Sequence, residues 1–286
     1  FETRLKAMAN VAQSDPRIAI KMGAFGGPAD VLNCSNGVVS LRTGEISEHD
    51  PALMLKGLVD IAYDPAAQAP MFEAYLSRVQ PDPQMREYLQ RVAGYSITGE
   101  TSEQAMFIHN GHGANGKSVF LEIIREVMAD LGQKVHRDTL MSKGTQSGGI
   151  PSDVAGMLGA RILVASETAA GKKLDDERIK ELVGGEWQRT RHLFGQWFDF
   201  RPTGKIHLAT NHLPAMESGG HGMGRRLRVI PWAVTIPDSE QDKTLKDRIL
   251  TTESAGVLAW LVEGAKTWYA QAMVAPDVVR QRTADH

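Results

Sequence analysis

The sequence predicts an α/β fold, built on a mainly parallel sheet with helices on both faces. A glycine-rich turn at residues 111–118 follows a short apolar strand, residues 105–108, and precedes an amphipathic helix. Two further apolar runs, residues 161–167 and 205–211, each end in a polar side chain. Helical patterns separate these strands, and alternating strands and helices are typical of parallel sheets.

The composition is that of an ordinary globular protein, with 286 residues of which 42% are hydrophobic and 23% are charged. No apolar run approaches the roughly 20 residues that a membrane span needs, so we expect no membrane partner. The net charge of −2 means that nucleic acid could be bound only through local basic loops. The single cysteine, Cys34, excludes an internal disulfide and is consistent with a reducing cytoplasm. The first residue is Phe1, which suggests an excised fragment.

Residues 1–98 are predicted to form a small, mostly helical domain. Asn36-Gly37 lies between apolar flanks and is a strong hairpin signal. From Pro51 to about residue 99 the pattern becomes helical and is interrupted by prolines. No catalytic constellation is present here, so we interpret this part as a docking or assembly module.

The glycine-rich turn fits the pattern G-x-x-x-x-G-K-[ST] at every fixed position, which predicts a phosphate loop. Its glycines let successive N–H groups point at phosphate oxygens, and the following helix adds its positive end. Lys117 can then reach the β- and γ-phosphates, while the Ser118 hydroxyl can hold a magnesium ion. A glycine-rich connection without function is the alternative. We predict a nucleoside triphosphate and Mg²⁺ as cofactors, bound by Gly111, His112, Gly113, Ala114, Asn115, Gly116, Lys117 and Ser118.

Two polar side chains follow the neighbouring strand candidates, at the edge where ligands bind in open α/β sheets. Glu167 ends one strand and is the candidate carboxylate that holds magnesium and orients or deprotonates water. Asn211 ends the next and could hydrogen-bond the γ-phosphate or the attacking water. The plainer interpretations are a strand-end acid and a turn residue before Pro214.

Arg225 and Arg226 follow a glycine-rich stretch far along the chain from the phosphate loop. Arginines that stabilise charge on a transferring phosphate come from the neighbouring subunit in ring ATPases. Either residue could be such an arginine finger, and the sequence does not decide which. A pair of solvated surface cations is the alternative.

Residues 186–200 alternate polar and apolar side chains around Gly195-Gln196, which predicts a hairpin. Cations beside aromatic rings suit single-stranded nucleic acid, because the cations neutralise phosphates and the rings stack on bases. The alternative has the aromatic rings in the core and the cations on a solvated face. The candidate nucleic-acid contacts are Arg189, Arg191 and His192.

Residues 99–236 therefore form the predicted nucleotide-binding core, and residues 237–286 a C-terminal helical segment. Within the latter, apolar residues from Val257 to Tyr269 make one broad helical face.

The order of five segments resembles superfamily-3 helicases: GHGANGKS, RILVASET, IKELVGGEWQRTRHLFGQWFDFRP, KIHLATNHLP and GRRLRVIPW. The sequence is most similar to the helicase portion of phage and plasmid primase–helicases, the group that includes the poxvirus primase–helicase. VLNCSNGVVSLRTGE and LQRVAGYSITGETSEQ resemble the helical domain before the motor, and AGVLAWLVEGAKTWYA resembles the helix after it.

The resemblance implies an AAA+ ATPase that forms a ring, usually a hexamer, and moves 3′ to 5′ on single-stranded DNA at a replication fork. It also implies the cytoplasm of a bacterial host. Lys117 and Ser118 match the Walker A residues, Glu167 the Walker B acid and Asn211 the sensor. Arg225 or Arg226 matches the finger, and residues 180–200 match a hairpin that grips DNA in the central channel.

Two departures from the family pattern qualify this resemblance. The family often has a lysine near the hairpin turn, where this sequence has Gly195-Gln196. We therefore expect Arg189, Arg191 and His192 to contact the DNA instead. The Walker B segment has one terminal acid, Glu167, followed by Thr168.

The leading prediction is an ATP-dependent DNA helicase motor for replication of a phage, prophage or plasmid. The alternatives are a DNA-stimulated ATPase that loads or remodels without unwinding, and an origin-binding scaffold ring. A third, a small-molecule P-loop kinase, is disfavoured by the distal arginines and the hairpin.

Overall fold

The computed structural model describes residues 2–12, 14–16, 25–142, 152–166, 173–191, 195–216 and 221–286. Its helices are α1 (Glu2–Ala12), α2 (Pro70–Val79), α3 (Pro83–Ser96), α4 (Lys117–Val127), α5 (Ser152–Ala155), α6 (Asp176–Gly184), α7 (His221–Gly224), α8 (Leu245–Thr252), α9 (Ser254–Gln271) and α10 (Asp277–Ala284). Its strands are β1 (Val31–Cys34), β2 (Gly37–Ser40), β3 (Ile46–Ser47), β4 (Met106–Asn110), β5 (Gly132–Lys134), β6 (Ile162–Ser166), β7 (Lys173–Leu174), β8 (Gln188–Arg191), β9 (Trp197–Phe200), β10 (Lys205–Thr210), β11 (Ala215–Met216) and β12 (Leu227–Pro231).

A five-stranded sheet lies at the centre, in the order β12-β4-β10-β6-β5, and all four neighbouring pairs are parallel. The inner strands are continuous buried runs, as expected for parallel strands covered on both faces. Because the strands are parallel, their carboxyl ends meet at one edge, which positions the site described below. The predicted parallel α/β architecture is confirmed.

Helices cover both faces of this sheet. Because successive side chains of a strand point to opposite faces, the sheet contributes to two separate cores. Phe107, Val164 and Ile230 face a core that α2, α3, α4 and α9 complete. Ile108 and Leu163 face a second core that α5, α6 and the end of β9 complete. Residues of all three predicted segments contribute to the first core, so it crosses the predicted boundaries after residues 98 and 236.

The N-terminal part contains a three-stranded antiparallel sheet in the order β1-β2-β3 before helices α2 and α3. Its first turn differs from the prediction. Gly37 pairs with Cys34, so the two-residue loop is Ser35-Asn36 rather than Asn36-Gly37. The Asn36 side chain has another task. Its amide oxygen accepts from the backbone N–H of Tyr63 at 2.8 Å, and its amide nitrogen donates to the Tyr63 carbonyl at 3.0 Å.

α3 and α9 form the main contact between the N-terminal and C-terminal parts. The Gln90 side chain on α3 donates to the Trp260 carbonyl on α9 at 3.1 Å, and the Trp268 indole donates to Glu103 at 2.8 Å. Among the described helices, none combines the length and the apolar character that crossing a bilayer would require.

Candidate functional site

The phosphate loop leaves β4 after Asn110 and enters α4 at Lys117, which places it at the carboxyl edge of the sheet. Gly113, Ala114 and Gly116 all have left-handed backbone conformations, with φ of 48°, 49° and 83°. Such turns make concave groups of N–H donors that bind anions. A Cβ added to Gly113 would meet no atom within 4 Å, so the loop is open on that side. The loop therefore fits the phosphates of a nucleotide.

Lys117 and Asn211 are brought into direct contact at this edge, because β10 is the neighbour of β4. The buried Lys117 Nζ donates to the Asn211 Oδ1 at 2.7 Å and to the Gly111 carbonyl at 2.9 Å. Asn211 Oδ1 also lies 3.5 Å from the backbone nitrogen of Gly113. The amide thus sits between the lysine ammonium and the mouth of the loop, and its sensor role stays a prediction.

Ser118 is exposed at the start of α4, next to Lys117. The described residues include no group of three or more His, Cys, Asp or Glu side chains that could hold a metal ion. Glu167, the other predicted magnesium residue, lies outside the described residues. Strand β6 nevertheless ends at Ser166, one residue earlier and at the same edge of the sheet. The magnesium site remains a prediction.

The N-terminal helix α2 contacts the phosphate loop, which the sequence analysis did not predict. The Tyr75 hydroxyl donates to the Gly116 carbonyl at 2.6 Å, and a Cβ on Gly116 would lie 2.7 Å from Val79 Cγ1. In the sequence, Tyr75 and Val79 appear only as part of the apolar face of a helix, with no motif to single them out.

A chain of buried hydrogen bonds runs from Trp232, directly after β12, to Ser96 at the end of α3. The Trp232 indole donates to His109 Nδ1 at 3.1 Å, His109 Nε2 lies 3.1 Å from His207 Nδ1, and His207 Nε2 lies 2.9 Å from Ser96 Oγ. Because the indole can only donate, the proton of each neutral imidazole is on Nε2. The Ser96 hydroxyl then donates to the Val92 carbonyl at 2.6 Å.

Both imidazoles in this chain are fully buried, and burial disfavours their charged forms. Burial lowers the pKa of His207 to about 3, with a smaller contribution from Lys205. Burial also lowers the pKa of His109 well below its usual value, helped by His207 and Lys117. Both imidazoles are therefore neutral in the folded chain at neutral pH.

The two candidate arginines lie at the edge of the sheet opposite the phosphate loop. Leu227 pairs with Met106 and Pro231 with Asn110, so the residues before β12 lie beside the start of β4. Arg225 is exposed, whereas Arg226 is partly buried and donates to the Gly222 carbonyl at 2.8 Å. The structure therefore does not bring either arginine to the phosphate loop of its own chain.

The predicted hairpin is present as the antiparallel pair β8-β9. Its outward face carries Arg189 opposite Asp199, and Arg191 opposite Trp197. The Arg191 guanidinium lies 5.1 Å from the centre of the Trp197 ring. A cation and an exposed indole thus share one face, and Asp199 offsets part of the charge. His192, the third predicted contact, lies outside the described residues.

Two family models match parts of the chain. Residues 3–81 match a family described as D5 N terminal like, and residues 109–226 match a family of unknown function, DUF5906.

Curated viral proteins are similar to most of the chain. The "Putative helicase L207/L206" of Acanthamoeba polyphaga mimivirus is 27% identical over 228 residues, which are 74% of this chain and 24% of that protein. The "Putative primase C962R" of African swine fever virus is 23% identical over 205 residues, which are 69% of this chain and 21% of that protein. The chain therefore spans about a quarter of the length of these relatives.

A solved structure of the NrS-1 C-terminal region in an apo form has the same fold. The TM-score is 0.59 at 11% identity, and the match covers 82% of this chain and 57% of that one. Together these findings confirm the predicted resemblance to phage and viral primase–helicases and the predicted fold class. Membership of superfamily 3 and a bacterial host remain predictions.

Proposed function

We propose that this chain, a relative of the phage and viral primase–helicases, is the ATP-driven motor part of a DNA replication helicase. The observation that carries the proposal is the contact of Lys117 Nζ with Asn211 Oδ1 at the open phosphate loop, with Arg225 exposed at the opposite edge. Neither Arg225 nor Arg226 lies at the phosphate loop of its own chain, so in this proposal a second copy supplies the arginine finger. The names of the viral relatives, helicase and primase, support a role in DNA replication.

The residues of the site have distinct tasks in this proposal. The N–H groups of the phosphate loop bind the phosphates, and Lys117 exchanges its protein oxygens for β- and γ-phosphate oxygens. Asn211 then positions the γ-phosphate or the attacking water. Ser118 would hold Mg²⁺, with Glu167 as the water-activating acid. When bound, Mg²⁺ neutralises charge that develops on the phosphates as the bond breaks.

We assign Arg225 rather than Arg226 as the finger. An arginine that acts on a neighbouring subunit must be exposed and able to extend. Arg225 meets this requirement, while the Arg226 guanidinium is partly buried against the Gly222 carbonyl. Arg226 then holds the segment that presents Arg225. The corresponding assembly is a closed ring, with the hexamer as the expected size.

The β8-β9 hairpin is the proposed contact with single-stranded DNA. Arg189 and Arg191 would neutralise phosphates, and the exposed Trp197 would stack with a base. Movement of the hairpin with each hydrolysis cycle would draw the strand through the ring.

Removing the lysine ammonium tests the nucleotide site. Lys117→Ala should lower ATP turnover at least about a hundredfold, because the phosphates lose their principal cation. Lys243→Ala, which alters an exposed lysine on the loop before α8, is the matched control and should turn over ATP normally. ATP turnover is measured as phosphate release, and strand displacement is measured with a labelled forked duplex. Undiminished ATP turnover in Lys117→Ala would contradict the proposed nucleotide site. ATP turnover by the unaltered chain without strand displacement would contradict the proposed helicase activity.

A further inference from the structure

A cavity of about 420 Å³ lies at the edge of the sheet opposite the phosphate loop. Several of its lining residues come just before the starts of strands: Leu131 before β5, Arg161 before β6 and Thr203 before β10. A second wall is formed by residues 25–33 and 55–57 of the N-terminal part, and a third by the root of the hairpin, where Trp187 precedes β8 and Arg201 follows β9. The cavity is therefore continuous with the proposed DNA-binding hairpin and separate from the nucleotide site.

The lining combines cations with aromatic rings. Its cations are Lys56, Arg161 and Arg201, and its exposed rings are those of Trp187 and Phe25. No Asp or Glu is among the described residues that line it. Trp187 is 67% exposed, although tryptophan is usually largely buried. This is the chemistry by which proteins hold single-stranded nucleic acid, with rings for bases and cations for phosphates.

Arg161 brings a buried positive charge to the wall of the cavity. Its guanidinium donates to the carbonyls of Ile97 at 3.0 Å, Ala29 at 3.2 Å and Val31 at 3.3 Å. Within the described part of the chain it forms no salt bridge. Burial lowers its pKa to about 10, which leaves it protonated at neutral pH. The carbonyl dipoles and the more distant carboxylates of Asp30 and Glu100 compensate part of this charge, and a phosphate in the cavity would add to that compensation.

A second basic side chain lies behind the same wall. Lys205 Nζ donates to the carbonyl of Thr203, which lines the cavity, at 2.9 Å, and also to that of Thr98. Burial lowers the pKa of Lys205, and the nearby Arg161 lowers it further. Both effects disfavour the charged form of Lys205, so Arg161 is the buried cation at this end of the cavity.

We propose that this cavity binds one nucleotide of the single-stranded DNA that the hairpin holds. The base stacks on Trp187, and its phosphate lies against Arg201 and Lys56 in the field of Arg161. The strand then runs from the outward face of the hairpin, past Arg191, to the hairpin root. This inference rests on the proposed function, because it takes single-stranded DNA as the ligand of the hairpin.

The test measures binding of a fluorescein-labelled oligo(dT) to the full chain by fluorescence anisotropy. Trp187→Ala should weaken binding about tenfold, as expected for the loss of one stacked base, and Trp187→Phe should restore most of it. Arg201→Ala should reduce the slope of log K against log salt by about 0.7, the value for one phosphate contact on a single strand. Thermal melting checks that each variant is folded.

The matched controls are Ile46→Ala, at an exposed apolar residue on β3, and Arg4→Ala, at an exposed arginine on α1. Both should bind as the unaltered chain does. If Trp187→Ala and Arg201→Ala also bind normally while Arg191→Ala binds more weakly, the cavity proposal is wrong and the proposed function stands. If the unaltered chain does not bind oligo(dT), both fail.

Discussion

Lys117 is a buried cation, and its oxygen partners explain how the chain tolerates it. Burying an ammonium group costs several kcal/mol unless hydrogen bonds compensate it. The Asn211 amide and the Gly111 carbonyl supply those bonds at 2.7 and 2.9 Å. Phosphate oxygens are stronger partners because they carry charge, so a nucleotide can displace the amide oxygen from the lysine. Freed in this way, Asn211 can contact the γ-phosphate or water, which links nucleotide binding to the proposed sensor.

His109 and His207 illustrate a different use of buried polar groups. Each imidazole accepts one hydrogen bond and donates the next, so the chain from Trp232 to Ser96 is satisfied only when both rings are neutral. A proton on either ring would place two donors face to face in the core. The pair therefore connects β4, β10 and α3 at neutral pH and opposes folding when it is charged.

We predict that the protein loses stability as the pH falls below about 6.5. The folded-state pKa values of His109 and His207 are lowered, to about 3 for His207, so between pH 6.5 and pH 3 the unfolded chain binds more protons than the folded one. Two such groups should lower the free energy of unfolding by about 2 to 3 kcal/mol between pH 7.5 and 5.5. Urea denaturation at the two pH values measures this change.

His207→Gln should make the pH dependence shallower, while His49→Gln, at an exposed imidazole outside the buried chain, is the control. A free energy of unfolding that is the same at both pH values would contradict the assignment of the two neutral rings.

At the scale of elements, α2 acts as a support for the phosphate loop. Tyr75 donates to the Gly116 carbonyl, and Val79 fills the space that a side chain on Gly116 would need. The last residue of the loop before α4 is thus held by a helix from the N-terminal part. Docking of α2 is therefore expected to influence nucleotide binding.

Tyr75→Phe tests this support. The loss of one buried hydrogen bond should lower the free energy of unfolding by about 0.5 to 1.5 kcal/mol and should raise the KM for ATP. Tyr88→Phe on α3 is the matched control, because the buried Tyr88 hydroxyl has no hydrogen-bond partner within the described part of the chain. That change should be neutral or slightly stabilising. Equal effects of the two variants on stability and on KM would contradict the proposed support.

The sequence predicts elements well where local chemistry decides them. The phosphate loop, strands β4, β6 and β10 and the β8-β9 hairpin follow from spacing and hydrophobic pattern alone. The contacts of Tyr75 and of the paired histidines could not be predicted, because each joins residues more than 40 positions apart. The hairpin loop is Ser35-Asn36 rather than the predicted Asn36-Gly37, and the Asn36 side chain bonds to Tyr63, a contact 27 positions along the chain that the local turn signal does not contain.

At the scale of the whole molecule, the sheet separates the two halves of the proposed ATP site. Lys117 and Asn211 lie at the carboxyl edge of the sheet, and Arg225 lies before β12 at the opposite edge. If Arg225 is the finger, as we propose, it must act on the site of a second copy in head-to-tail contact. Head-to-tail contacts that close give rings, so a ring is the assembly that this proposal predicts.

The most direct test of this account is the ATPase activity of mixed variants. Lys117→Ala lacks a working phosphate loop but retains the finger, and Arg225→Ala retains the loop but lacks the finger. Each alone should be nearly inactive, since a finger contributes about 10³-fold or more to turnover. An equal mixture should form about a quarter of its contacts between an intact loop and an intact finger, and should regain activity accordingly. Activity of the mixture no greater than the sum of its parts, or full activity of Arg225→Ala alone, would contradict a site shared between subunits.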